Sequence, residues 1–301
     1  MISSTDVEFF LALSRSMSLA AAARELGITP SAVTQRLKAL ERKLAVQLVD
    51  RSTRHLQLTT EGDLLASQGA LIQASLEEVS DALSGRRDQV SGHLRVAAPF
   101  GFGRRYVAPV MASLRKSHPS LTMTLSLFDD PVSMRSQAWD VLIHVGELYD
   151  SGLTRKRLAP NRRIVCAAPA YIERYGTPQS PAALSQHVCA VIQENGRDAS
   201  RWELTHPRDG RVAVTLSRTL ESNDGEVAKY WGLEGACIIL RSEWNVAEEL
   251  REGKLVELLP EWRAPDADVV ALMSNRTGRV ARTVCFLQTM ETALSPVPWH
   301  F

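Results

Sequence analysis

SLAAAARELGITPSAVTQRLKALERKLAVQLVDRSTRHLQLTTEG, residues 18–62, decides how the rest of the chain is organised. Ser18 is placed as an N-cap ahead of the alanine-rich run Leu19 to Leu26, which favours helix, and Gly27 closes that helix where a left-handed residue costs least. After a turn of Gly27, Ile28 and Thr29, the chain offers Thr29 as N-cap and Pro30 at the first helical position, which starts a second helix. Two helices joined so closely predict a helix-turn-helix.

The second helix has two faces. Val33, Leu37, Leu40 and Leu44 recur at helical period and face a core, so Ser31, Gln35, Lys38 and Arg42 lie opposite. The short and amide side chains at the start of that outer face suit base edges in a major groove, and Lys38 and Arg42 suit phosphates. Between Thr29 and Leu58 six basic residues, Arg36, Lys38, Arg42, Lys43, Arg51 and Arg54, stand against Glu41 and Asp50 alone. An ordinary solvated helix face would explain the polar row by itself, but not the caps and turn before it or the segment after it. Gln47 to Arg51 and His55 to Leu58 read as a short hairpin with Arg54 in its tip, which makes a winged helix-turn-helix; an arginine there suits a minor groove.

The run from Ser18 to Gly62, with ALERKL followed by LVDRSTRHLQLTTEG, resembles the N-terminal domain of the LysR-type transcriptional regulators. Carried over by position, the resemblance implies Ser31, Ala32, Thr34, Gln35 and Lys38 in the major groove and Arg54 at the wing.

A chain of 301 residues suggests about two domains with sizeable cores. Its formal net charge of +1 carries no global signal for nucleic acid, so that case rests on the local excess. The N-terminus has no basic region ahead of a long apolar run, so neither a signal peptide nor a membrane span is expected, and a cytoplasmic location follows. Cys166, Cys189, Cys237 and Cys285 are widely spaced in mostly apolar surroundings and read as reduced core residues rather than metal ligands or disulfides. Neither a cofactor nor a metal is predicted.

Thr5 to Arg15 places Val7, Phe10 and Leu13 on one stripe as the first helix of the DNA-binding domain, residues 1–59. From Thr60 to about Asp88 there is no proline, and Leu65, Ile72 and Val79, with Leu76 and Leu83, fall on a and d positions of a heptad. A helix of that length spans about 43 Å and exposes a narrow apolar seam. The seam would either pack on its own chain or pair two copies; the two reading heads that DNA half-sites require favour the pair. The family resemblance, in which this linker helix dimerises, implies the same, and it further implies a homotetramer built through the effector domains. GRRDQVSG, residues 85–92, reads as a hinge that ends the linker, 60–92.

From His93 strands and helices alternate. Leu94 to Ala98, Leu121 to Leu127, Val141 to Val145, Arg163 to Ala168, Val188 to Gln193, Val212 to Leu216, Ala236 to Leu240 and Val269 to Ser274 read as strands. Helices are expected at Arg104 to Lys116, Ala170 to Arg174, Pro181 to Gln186 and Thr277 to Leu294, which argues for a parallel α/β sheet. PAYIERYG and WGLEGACIILRSEWNVAEELREGKLVELLP extend the resemblance to the LysR effector domain, similar in form to periplasmic binding proteins. The resemblance implies two lobes within 93–301, lobe one at 93–161 and 266–301 and lobe two at 162–265.

In an open α/β sheet, ligands bind beyond the carboxyl ends of strands, where helix N-termini present free amides. The loops at those ends carry Phe100, Gly101, Phe102 and Gly103; Phe128 and Asp129; His144; Gln193; and Asn223. Each has a plainer reading: the glycines serve the turn, the phenylalanines fill core, His144 is a satisfied histidine and Asn223 caps a helix. Many relatives carry arginine at the position of His144, so recognition of an acid would fall to Arg104 or Arg105. The WGLEGACIILRSEW segment resembles a subgroup associated with small hydroxy acids, which points to an organic acid as the effector.

The expected function is therefore regulation of transcription by a DNA-binding protein whose hold on double-stranded DNA responds to a small molecule between two lobes. The rival is a cytoplasmic solute-binding protein or an enzyme on the same fold. No nucleophile, base and orienting acid stand in a recognisable motif, and GFG is too short for a phosphate-binding loop.

Overall fold

The computed structural model describes residues 1–16, 18–50, 56–83, 90–128, 139–146, 153–193, 200–273 and 280–300. Described residues up to 83 form one compact unit and those from 90 onward a second.

The first unit is built from α1 (Ser4–Ser14), α2 (Leu19–Leu26), α3 (Pro30–Leu44), the two-residue strands β1 (Val49–Asp50) and β2 (Gln57–Leu58), and α4 (Thr60–Leu83). Local chemistry sets most of its boundaries. The Ser18 hydroxyl accepts from the Ala21 amide at 3.1 Å, Gly27 takes φ 66° after α2, and Thr29 accepts from the Ala32 amide at 3.3 Å with Pro30 beginning α3. Only α1 starts elsewhere than expected: Ser3, not Thr5, is its cap, because Asp6 three residues on returns the bond to the Ser3 amide and completes a capping box. Phe9, Phe10 and Leu13 of α1, Ala22 and Ala23 of α2, and Val33, Leu37 and Leu40 of α3 close the core.

β1 pairs antiparallel with β2 through Val49 opposite Leu58 and Asp50 opposite Gln57. The wing tip, Arg54 included, lies outside the described residues. Gly62, in the first turn of α4, lies where an added Cβ would collide with the Leu48 carbonyl, so backbone meets backbone there. Gly62→Ala is expected to destabilise this unit by about 1–3 kcal/mol, checked by thermal melting of the full chain; an unchanged transition would show that the wing and helix shift apart freely.

α4 turns Leu64, Leu71, Ile72, Leu76 and Val79 outward, whereas Leu65 packs into the core of the first unit. The exposed seam therefore starts later than the heptad predicts.

The second unit has two lobes, each around a five-stranded sheet. In the first, β3 (Gly92–Pro99) runs into a helical turn, α5 (Phe100–Phe102), a π-turn at Gly103–Val107 and α6 (Ala108–Ser117). β4 (Leu121–Phe128), β5 (Val141–Val145) and β6 (Thr154–Ala159) follow. The second lobe holds β7 (Arg163–Ala167), α7 (Pro169–Tyr175), a 3-10 turn at Pro181–Gln186, β8 (Val188–Ile192), the hairpin of β9 (Arg201–His206) and β10 (Gly210–Thr215), and β11 (Arg218–Ser222). It is completed by α8 (Gly225–Leu233), β12 (Ile238–Ser242), α9 (Glu243–Arg251) and β13 (Val256–Glu257). The chain then returns to the first lobe with β14 (Val269–Met273) and α10 (Ala281–Ala293).

The sheets are mixed, which corrects the expectation of a parallel one. The first is ordered β4-β3-β5-β14-β6 and the second β11-β8-β12-β7-β13. β3 is parallel to β4 and β5, as strand–helix–strand units require, but β14 is antiparallel to β5 and β6. It enters from the other lobe, so no helical crossover fixes its direction. In the second sheet β8 is parallel to β11 and β12, and β7 is antiparallel to β12 and β13.

The lobes share side chains. Trp244 and Ala247, from α9, are buried in the core of the first lobe beside Phe102, Val107, Phe286 and Trp299. The buried Asn161 accepts from the Trp244 amide at 3.2 Å and donates to the Ala267 carbonyl at 2.8 Å, joining both chain crossings to α9.

Candidate DNA interface and effector cleft

On α3 the basic residues divide into two groups. Arg36 donates to the Thr5 carbonyl at 2.9 Å and lies 4.6 Å over the Phe9 ring; Lys43 pairs with Asp6 at 2.6 Å. That ammonium, with the Ser3 bonds, holds the Asp6 carboxyl down at about 2. These two cations brace α3 on α1. Lys38 and Arg42 are exposed on the opposite side with Ser31 and Gln35, while Ala32 and Thr34 are half-buried. The Thr34 hydroxyl returns to the Pro30 carbonyl at 3.0 Å, and Ser31 and Thr29 share a hydroxyl contact of 3.0 Å. Gln35, Lys38 and Arg42 line an open groove of about 890 Å³ bounded by Ala45, Val46 and Gln47. Buried Glu41 closes its floor by accepting the Leu48 amide at 3.0 Å, which fixes the chain entering the wing.

In the second unit, β3 delivers the chain into α5 with Pro99 as N-cap and no side-chain cap on the first amides. Phe100 and Gly101 are half-buried at that turn, with Arg104 6.0 Å from the Phe100 ring. Phe102 is fully buried against Tyr106 and Trp244, at 4.9 and 5.3 Å between ring centres. A Cβ at Gly103 would meet Ala98 Cβ at 3.2 Å and press closer still on Leu127, so this glycine lets the helix lie on the sheet.

Phe128 is buried with Ala97, Leu142 and Val270; Asp129 lies outside the described residues. His144 is buried on β5, opposite Val270. At the carboxyl ends of β8 and β11, the Gln193 amide donates to the Ser222 carbonyl at 2.9 Å and its side chain donates to Glu221 at 2.9 Å. Asn223 is exposed there, and the cap of α8 is its neighbour Asp224, which accepts the Glu226 amide at 2.8 Å.

Contacts across the cleft engage Arg104 and Arg105, the two arginines to which acid recognition was assigned. Arg104 pairs with Asp224 at 3.4 Å, Arg105 with Glu248 at 3.1 Å, and the Tyr106 hydroxyl donates to the Trp244 carbonyl at 3.4 Å. Burial raises the Tyr106 phenol above its ordinary value, which keeps it a donor. Arg241 and Asn245, both buried, are bonded at 2.9 Å below the start of α8. Their one advance signal was polarity: an arginine and an asparagine inside the otherwise buried stretch 237–247.

Cys166, Cys189 and Cys237 are free and buried, and burial raises all three thiols, the latter two to about 12. Cys285 is half-buried, 3.5 Å from His118. Among the described residues no cluster of three metal-binding side chains occurs, and no helix is long and apolar enough to cross a membrane.

A winged reading head with a polar and basic recognition face, in one chain with a two-lobed α/β body, is the build of a transcriptional regulator with an effector-binding domain. Residues 4–63 match the family described as bacterial regulatory helix-turn-helix protein, lysR family, and residues 87–295 match the LysR substrate binding domain. The chain belongs to the LysR family of transcriptional regulators.

The HTH-type transcriptional regulator DmlR of Escherichia coli (strain K12) is 35% identical over 286 residues, covering 94% of this chain and 92% of that protein. The HTH-type transcriptional activator TtdR of the same strain is 35% identical over 267 residues, 89% of this chain and 86% of that one. Among solved structures, CrgA of Neisseria meningitidis, a LysR-type transcriptional regulator, superposes with a TM-score of 0.60 at 26% identity over 99% of this chain and 100% of its own. A full-length OxyR variant of Pseudomonas aeruginosa shares the fold at a TM-score of 0.70 and 14% identity, over 96% of this chain and 95% of that one.

Proposed function

We propose that this chain binds operator DNA with α3 and the wing, and that a small organic acid held between the lobes changes that binding. One observation carries the reading. Arg36 and Lys43 are committed to bracing α1, while Gln35, Lys38 and Arg42 stand exposed in one row along a groove. Ser31, Ala32, Thr34 and Gln35 then meet base edges, Lys38 and Arg42 meet phosphates, and Arg54 enters the minor groove.

The effector lies beyond the strand ends, against Phe100, Gly101, Gln193 and Asn223, with Phe102, Gly103, Phe128 and His144 forming the wall behind, and Asp129 is assigned to the same site. The uncapped amides after Pro99 and the nearby Arg104 support an acid. The lobes divide near residues 161 and 266. Two chains pair through the α4 seam, two such dimers make a tetramer, and the protein works in the cytoplasm.

The deciding experiment is a footprint of the full-length protein on the DNA beside its own gene, with and without a panel of small organic acids. An interrupted palindrome whose protected extent changes with one acid supports the reading; protection indifferent to every acid rejects the effector class, and no protection rejects the assignment of α3. On such an operator, Gln35→Ala is expected to lose about 1–3 kcal/mol of preference at one base position, whereas Lys38→Ala weakens binding to all sequences and flattens the salt dependence. Equal, sequence-independent losses in competition binding would show that the reading face is wrongly assigned.

A further inference from the structure

We propose that the first turn of α8 is a built-in carboxylate latch that holds the two lobes together across the cleft, and that a carboxylate effector acts by taking its place. The proposal rests on the effector reading above and adds what the effector has to displace.

Two acids of one turn reach from the second lobe to the first. Asp224 caps α8 with one oxygen and meets Arg104 at 3.4 Å with the other. Arg104 is itself oriented by donating to the Phe100 carbonyl at 3.2 Å. Glu226 reaches the helical turn after β3: a Cβ added at Gly101 would lie 2.9 Å from Glu226 Oε1 and 3.0 Å from Trp244 Cη2. The Glu226 carboxylate is also fixed from behind. It accepts from Asn245 at 2.5 Å and lies 3.3 Å from Lys229, and Asn245 in turn is bonded by Arg241 at 2.9 Å. A Cβ at Gly225 would collide with the Arg241 guanidinium, so the glycine between the two acids is what lets that support lie flat beneath the turn.

The latch stands beyond the carboxyl end of β3, the side of an α/β sheet on which ligands ordinarily bind. Here the protein supplies the anion itself. Arg104 and Asp224 keep 54% and 29% of their side-chain surface exposed, so the pair is solvent-screened and weak, as a contact to be displaced has to be. Only a ligand that replaces a carboxylate at Arg104 and beside Gly101 makes the differential contacts that shift the lobes. A small carboxylate does so; a neutral molecule leaves both acids in place.

The test uses the full-length chain with spin labels on Ser113→Cys in the first lobe and Ser180→Cys in the second, in a Cys285→Ser background diluted with unlabelled protein. Asp224→Asn with Glu226→Gln removes both charges while asparagine still caps the helix. The inter-lobe distance measured by double electron resonance is expected to lengthen by more than about 2 Å, and succinate is expected to lengthen it equally in the chain that keeps both acids. Should the double variant fail to fold, Gly101→Ala, which displaces Glu226 from the other side, is expected to give the same lengthening. An unchanged distance in the folded variant overturns the latch; a lengthened variant beside an acid-bearing chain that ignores succinate overturns the competition. No DNA enters the measurement, so failure of the latch and failure of the effector reading on the operator are separate results.

Discussion

Trp244→Ala is expected to destabilise the second unit by about 3–5 kcal/mol. Trp244 is 5% exposed and its ring packs edge-on, from a helix that follows a second-lobe strand, against Phe102 and Tyr106 of the first lobe. Removing it opens a void against those rings and takes the packing from both lobes at once. In a full-length thermogram the transition of that unit should fall by about 10 °C or more. Trp244→Phe should fall by much less, since the indole nitrogen is buried with no hydrogen-bond partner among the described residues and phenylalanine forfeits no bond. Equal losses for the two substitutions would mean that the full indole volume, which phenylalanine does not restore, carries the contact.

Ile72→Asp is expected to separate the dimer and lower operator affinity by about 10²- to 10⁴-fold, the advantage of having two linked reading heads. Ile72 is 47% exposed on α4, on a helix that also exposes Leu71 and Leu76 at 49% each and Val79 at 56%. A carboxylate there stays hydrated in the single chain and is costly only in a paired seam. Sedimentation should give a lower mass with the α1–α3 core still folded. An unchanged mass would refute pairing through this helix.

The reading head was legible because its signals are local. Caps at Ser18 and Thr29, a left-handed Gly27 and Pro30 at the helix start each act within four residues, and the structure has all of them where the pattern put them. The two lobes were less so. β6, Thr-Arg-Lys-Arg-Leu-Ala, is a charged edge strand without apolar alternation, and β9 is stabilised by pairing with β10 rather than by the main sheets. The direction of β14 depends on where the chain returns from, which no short window contains. The same holds for the cleft. Its loops were found from the strand ends, but Asp224, Glu226 and Trp244 matter through partners more than a hundred residues away, at Arg104, Gly101 and Phe102. Arg36 and Lys43 belonged to the basic count, yet both are engaged by α1, a partnership visible only once the helices are packed.

The place of β14 between β5 and β6 also sets an order of assembly during synthesis. The strands of the second sheet lie in one continuous stretch, 163–257, so that lobe can close as soon as it leaves the ribosome. The first sheet cannot: β5 has no partner on its β14 side until residues 269–273 emerge, and α10 follows later still. A nascent chain stopped after β13 therefore presents a finished second lobe beside an open strand edge, the kind of surface on which chains aggregate. The strand at 269–273 and the helix that follows it are what make the first lobe safe to release.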